Sequence, residues 1–208
     1  MKNAWLQSLW GEPENELPSI KDDIPPCEIV LTDEERAGLP TIKCISLWQP
    51  WASLMAIGAK KNETRHWPID YTGLFAIHAA QRLEKEWLEE DPFYGHLNRG
   101  VLGRKDVLPD EDRFPFGLQI KNNLPRMAIV SVGILARCVS TNKRVDTPMP
   151  DDDSDEFAFG NYQRNRFIWA TRSMVALPKP IPYKGQQGIW TLEPETVSKI
   201  VKQITLPI

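Results

Sequence analysis

ISLWQPWASLMAIGAKKNETRHWPIDYTGLFAIHA, residues 45–79, orders a strand, a helix and two further strands within a short span. A first strand is predicted over Thr41–Leu47. Pro50 then stands where the first turn of a helix over Pro50–Ile57 would begin, and Gly58 would end it. Trp51, Leu54 and Met55 fall on the inward side of that helix. Lys60 to Arg65 leads through a tight turn into a second strand, and Gly73 precedes a third over Leu74–Ala79. Among Trp48, Trp51, Trp67 and Tyr71 stand the polar residues Ser46, Gln49, Lys60, Glu63, Arg65 and His78. Such rings stack on a planar ligand, and such polar groups contact its edge or an attached phosphate.

Upstream, residues 1–40 lack a sustained apolar period and are punctuated by Pro13, Pro18, Pro25, Pro26 and Pro40, which reads as an extended arm. Downstream, Gln81–Glu90 has helical composition, with Leu83, Trp87 and Leu88 as its inward stripe. Asp91–Leu124 shows no periodicity and reads as an insertion covering one barrel opening. Met127–Val139 reads as a long buried strand, and Phe167–Leu177, Ile181–Tyr183 and Gly188–Leu192 as further strands. Pro194 opens a last helix carrying Val197, Ile200, Val201 and Ile204. The expected architecture is α+β: a small, mostly antiparallel β-barrel with flanking helices over residues 41–208. Trp51, Leu54, Ile77, Val130, Val132, Ile168 and Trp190 are expected in its core.

The chain has 208 residues and is 41% hydrophobic, enough to bury one core. No apolar run reaches the length that spans a bilayer and Met1–Gly11 lacks the pattern of a signal peptide, so no membrane contact and a cytoplasmic location are expected. Cys27, Cys44 and Cys138 are widely spaced, and His66, His78 and His96 have no ligand spacing, so neither disulfide, metal nor cofactor is expected. The net charge of −3 divides unevenly. Residues 1–40 carry 3 basic and 9 acidic side chains and residues 143–156 carry 2 and 6, leaving +7 on the rest. A body of that charge attracts phosphates, while the acidic segments either limit non-specific binding or are solvated loops.

SLWQPWASLMAIGAKKNETRHW, YTGLFAIHAA, AIVSVGILARCV and the run from Phe157 to Leu192 closely resemble the ASCH (activating signal cointegrator homology) domain family. The distinctive pieces are WQPWA, G-x-K-x-x-E-x-R at Gly58, Lys60, Glu63 and Arg65, the I-H-A at His78, and G-x-x-G-x-W at Gly185, Gly188 and Trp190. The resemblance covers most of Thr41–Leu192 and implies a PUA-like fold. It also implies RNA or a nucleotide-like ligand, held between the WQPWA helix start and the Lys60–Arg65 loop and strand. Thr72 stands where the family commonly has an arginine, which removes one possible phosphate contact.

The ligand-binding candidates are Trp48, Gln49, Lys60, Glu63, Arg65, Trp67, Tyr71 and His78. Glu63 and Arg65 share a strand face, and either pair with each other or grip a ligand bidentately. Trp48 and Trp67 are stacking candidates, whereas Trp51, Trp169 and Trp190 read as core. A small hydrolase acting on a modified nucleoside or RNA is the alternative, with Lys60 and Glu63 as its catalytic pair. ASCH-like amidohydrolases carry a threonine where this chain has Glu63, so their nucleophile is missing here. A protein-interaction adaptor, using residues 1–40 or the acidic loop, is the third reading.

Overall fold

Cys44 faces one side of strand β1 (Lys43–Gln49), while Ile45 and Leu47 face the other. All three are buried, so β1 is covered on both faces and lies inside the sheet. The computed structural model describes residues 37–103, 120–142 and 149–206. Residues 1–36 of the expected arm, 104–119 and 143–148 lie outside the described residues. After β1 come helix α1 (Trp51–Ala56), β2 (Asn62–Arg65), β3 (Gly73–Leu83), a 3₁₀ turn (Lys85–Leu88) and α2 (Phe93–Gly100). Then follow β4 (Ala128–Ser140), α3 (Asp155–Ala158), β5 (Phe167–Pro182), β6 (Ile189–Thr191) and α4 (Pro194–Val201).

Among the described residues six strands form one sheet in the order β2-β5-β4-β3-β1-β6. Of these pairs β1–β3 is parallel, as its crossover through α1 allows, and the others are antiparallel. The mostly antiparallel reading holds, but the expected barrel is not closed. Edge strands β2 and β6 are four and three residues long, and no ladder joins them among the described residues. Register shifts in β4–β5 between Ile129 and Ser131, Val132 and Ile134, and Leu135 and Arg137 bend these long strands without bringing the edges into pairing.

Three apolar clusters hold the layers together. On one face α4 contributes Val197 and Ile200 to a core with Cys44, Ala76, Val132 and Trp190. On the other, α1 places Met55 against Leu47, Phe75, Ile77, Val130 and Trp169. A third cluster joins Leu54 of α1 to Phe93, Tyr94 and Leu97 of α2, with Ile120, Leu124 and Phe159. Part of the span read as an insertion over 91–124 is thus a packed helix. The core expectations hold for Leu54, Ile77, Val130, Val132, Ile168 and Trp190, but Trp51 is only half-buried.

The expected helix over Gln81–Glu90 does not form. Leu83 pairs with Gln49, and the Glu84 N–H donates to Gln49 O at 2.8 Å. Strand pairing to β1 therefore satisfies the backbone through residue 84, overriding helical composition. The remaining 3₁₀ turn buries Leu88 but leaves Trp87 exposed. The two strands read over 167–177 and 181–183 are one continuous β5.

Candidate functional site

A cleft of about 460 Å³ opens between the end of β1 and β2. Ser46, Leu47 and Trp48 line it from β1, Glu63, Thr64 and Arg65 from β2, and Lys60 from the turn before β2. Trp51 of α1, Trp87 of the 3₁₀ turn and residues Ala158 to Asn161 complete the wall. Arg65 reaches across the cleft from β2, its Nη2 3.5 Å from Ser46 O.

Gly58 makes the turn that delivers Lys60. Its φ of +74° is left-handed, and its N–H donates to Met55 O at 3.1 Å, closing α1. The Lys60 N–H then donates to Leu54 O at 3.1 Å and aims the side chain inward, where it is 1% exposed. Lys60 Nζ donates to Asn62 O and to Phe159 O, the latter at 2.9 Å, and lies 3.6 Å from Glu63 Oε2. Burial pushes this amine below the ordinary lysine range; Glu63 and Glu156 pull it back up, and Arg65 adds to the lowering. Three acceptors around one nitrogen suit an ammonium ion with three donors.

Glu63 bridges the two cations, with Oε1 2.9 Å from Arg65 Nε. That contact is an ion pair and not an aligned hydrogen bond, since Arg65 Nε is buried and without a hydrogen-bond partner. The Arg65 side chain as a whole is 30% exposed, and it lines the cleft. The geometry therefore joins the two readings left open by the sequence: Glu63 pairs with Arg65, and the pair still presents guanidinium donors to the opening.

The acidic loop supplies an unanticipated anchor. Glu156, in α3, accepts the N–H groups of Lys61 at 2.7 Å and Asn62 at 2.9 Å, together with the Tyr162 hydroxyl at 3.0 Å. Asn161 N–H donates to Thr64 Oγ1 at 2.9 Å, so the 156–161 segment is fastened along β2 and forms one wall of the cleft. Nothing in local composition distinguishes Glu156 from the neighbouring acids Asp151 to Asp153; its role arises only when the chain returns to residue 61.

Of the candidate residues, Trp48, Lys60, Glu63 and Arg65 share the cleft, whereas Gln49, Trp67, Tyr71 and His78 do not line it. Gln49 is fully buried and structural: its Oε1 accepts from Ser53 N–H at 3.1 Å and its Nε2 donates to Pro125 O at 2.6 Å. Trp67 stands edge-on to Trp169 at 4.5 Å and packs on the α1-side core. Tyr71 packs on the same core, and its hydroxyl donates to Leu74 O at 2.8 Å. The cleft also contains Trp51, expected in the core, and Trp87, expected on the inward stripe of a helix.

His78 holds a different junction. One ring nitrogen meets Ser46 Oγ at 2.9 Å and the other Tyr183 O at 3.0 Å. Gly185 approaches so closely that a Cβ there would lie 2.4 Å from His78 Cε1 and 2.7 Å from Ser46 Oγ, which accounts for the first glycine of G-x-x-G-x-W. Burial lowers the His78 pKa, with the Tyr183 carbonyl partly opposing it. Between that lowered value and about 6.5 the unfolded chain binds more protons than the folded one, so stability falls as pH drops through this window. Urea midpoints from pH 7.5 to 5 are expected to fall more steeply for the wild type than for His78→Gln. Parallel curves would contradict it.

No family model matches the chain. Over 198 residues it is 25% identical to activating signal cointegrator 1 of Mus musculus, a match covering 91% of this chain and 30% of that protein. The chain thus spans less than a third of that relative's length. Among solved structures, ASCH from Zymomonas mobilis matches with a TM-score of 0.43 at 12% identity, covering 80% of this chain and 98% of that one. A point variant of the same protein matches at 0.41 and 14% identity, covering 78% and 98%. Among the described residues, no helix is long and apolar enough to cross a membrane.

Proposed function

We propose that this chain, a relative of the ASCH domain family, recognises RNA or a nucleotide-like ligand in the cleft between β1 and β2. The observation that carries the reading is the Arg65–Glu63–Lys60 row running from the opening to the buried end of a tryptophan-walled cleft. Arg65 offers donors to a phosphate or a ring carbonyl, and Trp48, with 46% of its surface exposed, offers a face for a base. Glu63 is committed to the two cations and serves to hold Arg65 in place. Lys60, surrounded by acceptors, supplies fixed positive charge at the base of the cleft.

The same geometry weighs against hydrolysis by the Lys60/Glu63 pair. A general base needs a free lone pair near substrate, whereas Lys60 Nζ is directed at two backbone carbonyls and Glu63. The adaptor reading rests on residues 1–40 and the acidic loop, of which residues 1–36 and 143–148 lie outside the described residues.

Arg65→Ala tests the proposal because Arg65 is the most exposed member of the row. Its loss is expected to weaken binding of single-stranded RNA or of nucleoside monophosphates about tenfold or more, and to flatten the salt dependence by the equivalent of one phosphate contact. Titration by fluorescence anisotropy at several salt concentrations measures both. Unchanged affinity, or turnover of an acetylated nucleoside or RNA by the wild type, would overturn the binding reading.

A further inference from the structure

Two tryptophans at the mouth are exposed far beyond what packing requires. Among the described residues the exposed large apolar side chains are Trp48 at 46%, Trp87 at 41% and Met127 at 40%, and both tryptophans line the same cleft. Trp87 is fixed from behind: its ring lies 5.0 Å from Phe93 in a tilted stack and 6.1 Å from the edge-on ring of Trp51. A ring held in this way loses little freedom when a base stacks on it. The guanidinium of Arg82 covers Trp48 at 3.8 Å. That cation–π contact can be exchanged for a base, or extended by one.

Two cations, Lys60 and Arg65, line the cleft with these rings, and a third, Arg82, lies over Trp48. Lys60 is buried, Arg65 is 30% exposed and Arg82 is 59% exposed. Two rings can sandwich one base or carry two adjacent ones, and the number of nucleotides bound distinguishes these. Here Trp48 and Trp87 are both ring surfaces of the cleft, Arg65 lines it, and Arg82, paired with Glu84, lies over Trp48.

We propose that the cleft takes a single-stranded nucleic acid of at least two nucleotides, with Trp87 and the Arg82-covered Trp48 as platforms for adjacent bases. The inference rests on the reading of the cleft as an RNA or nucleotide site and names its ligand as a strand. Base stacking on an aromatic side chain contributes enough that removing one platform is felt as about a tenfold loss, without regard to sequence. Trp87 acts through stacking and Arg82 through charge, so their removal leaves different signatures.

The test compares fluorescein-labelled octauridylate RNA with uridine 5′-monophosphate on the full chain, using wild type, Trp87→Ala, Trp87→Phe, Arg82→Ala and Arg65→Ala. The octamer is expected to bind at least tenfold more tightly than the monophosphate. Trp87→Ala should weaken the octamer about tenfold and keep the salt slope, and Trp87→Phe should recover most of the loss. Arg82→Ala should flatten the octamer's salt slope. Equal affinity for octamer and monophosphate, with Arg65→Ala weakening both, would reject the strand and leave the nucleotide reading intact. Displacement of the RNA by polyglutamate of equal charge would reject it in favour of an acidic-peptide site. Absence of binding by both nucleic-acid probes would remove the nucleotide reading and this inference together.

Discussion

Glu63→Gln is expected to lower the stability of the fold by about 3–5 kcal/mol, the range for removing one partner of a buried ion pair. Glu63 is 8% exposed and lies between Lys60, at 1%, and Arg65, whose side chain is 30% exposed, so its neutralisation leaves the buried Lys60 ammonium without its carboxylate. Glutamine preserves size and one oxygen, so packing changes little and the loss reports on charge. Adding Lys60→Met should recover part of it, because removing one cation relieves the repulsion, and a double-mutant cycle isolates that coupling. Urea unfolding measures all three variants. A loss under about 1 kcal/mol for Glu63→Gln would mean that solvent, not Glu63, compensates the cations.

Trp169→Ala should cost about 3–5 kcal/mol or abolish folding, as for other fully buried tryptophans. Trp169 is fully buried, pairs with Glu63 across the β2–β5 ladder, and meets Trp67 and Phe75 edge-on at 4.5 and 6.4 Å. Its removal would empty the core beneath the strand that carries Glu63 and Arg65. Trp48→Ala, at an exposed position, should cost less than about 0.5 kcal/mol. Thermal or urea unfolding of the two variants separates core ring from cleft ring. Comparable losses would show that Trp48 belongs to the packed interior.

These two tryptophans illustrate how much local pattern can reveal. Trp169 stands in an apolar strand between Ile168 and Ala170, and its burial follows from that neighbourhood. Trp48 stands in β1 between the buried Leu47 and Gln49, so strand alternation turns its ring to the opposite face, where it is exposed. The pair Glu63 and Arg65 was legible for the same reason: residues two apart on a strand share a face whatever the strand pairs with. Trp67 and Tyr71, by contrast, lie between strands, where no period indicates direction. Contacts with Trp169 and with the Leu74 carbonyl fix them inward.

Determined by sequence alone were the order of strands and helices through residues 41–79, the long apolar β4, the last helix after Pro194, and the Lys60, Glu63 and Arg65 set. Each depends on spacing along a few residues, which backbone periodicity converts directly into a face or a turn. Tertiary structure decided that the sheet stays open, that β3 runs on to Leu83 in place of a helix, that Trp87 reaches the cleft, and that Glu156 fastens residues 61 and 62. Each depends on a partner distant in sequence: Gln49 for Leu83, and the Lys61 and Asn62 amides for Glu156. A hydrogen bond across 94 or 95 residues leaves no mark in the local pattern on either side, so only the folded chain reveals it.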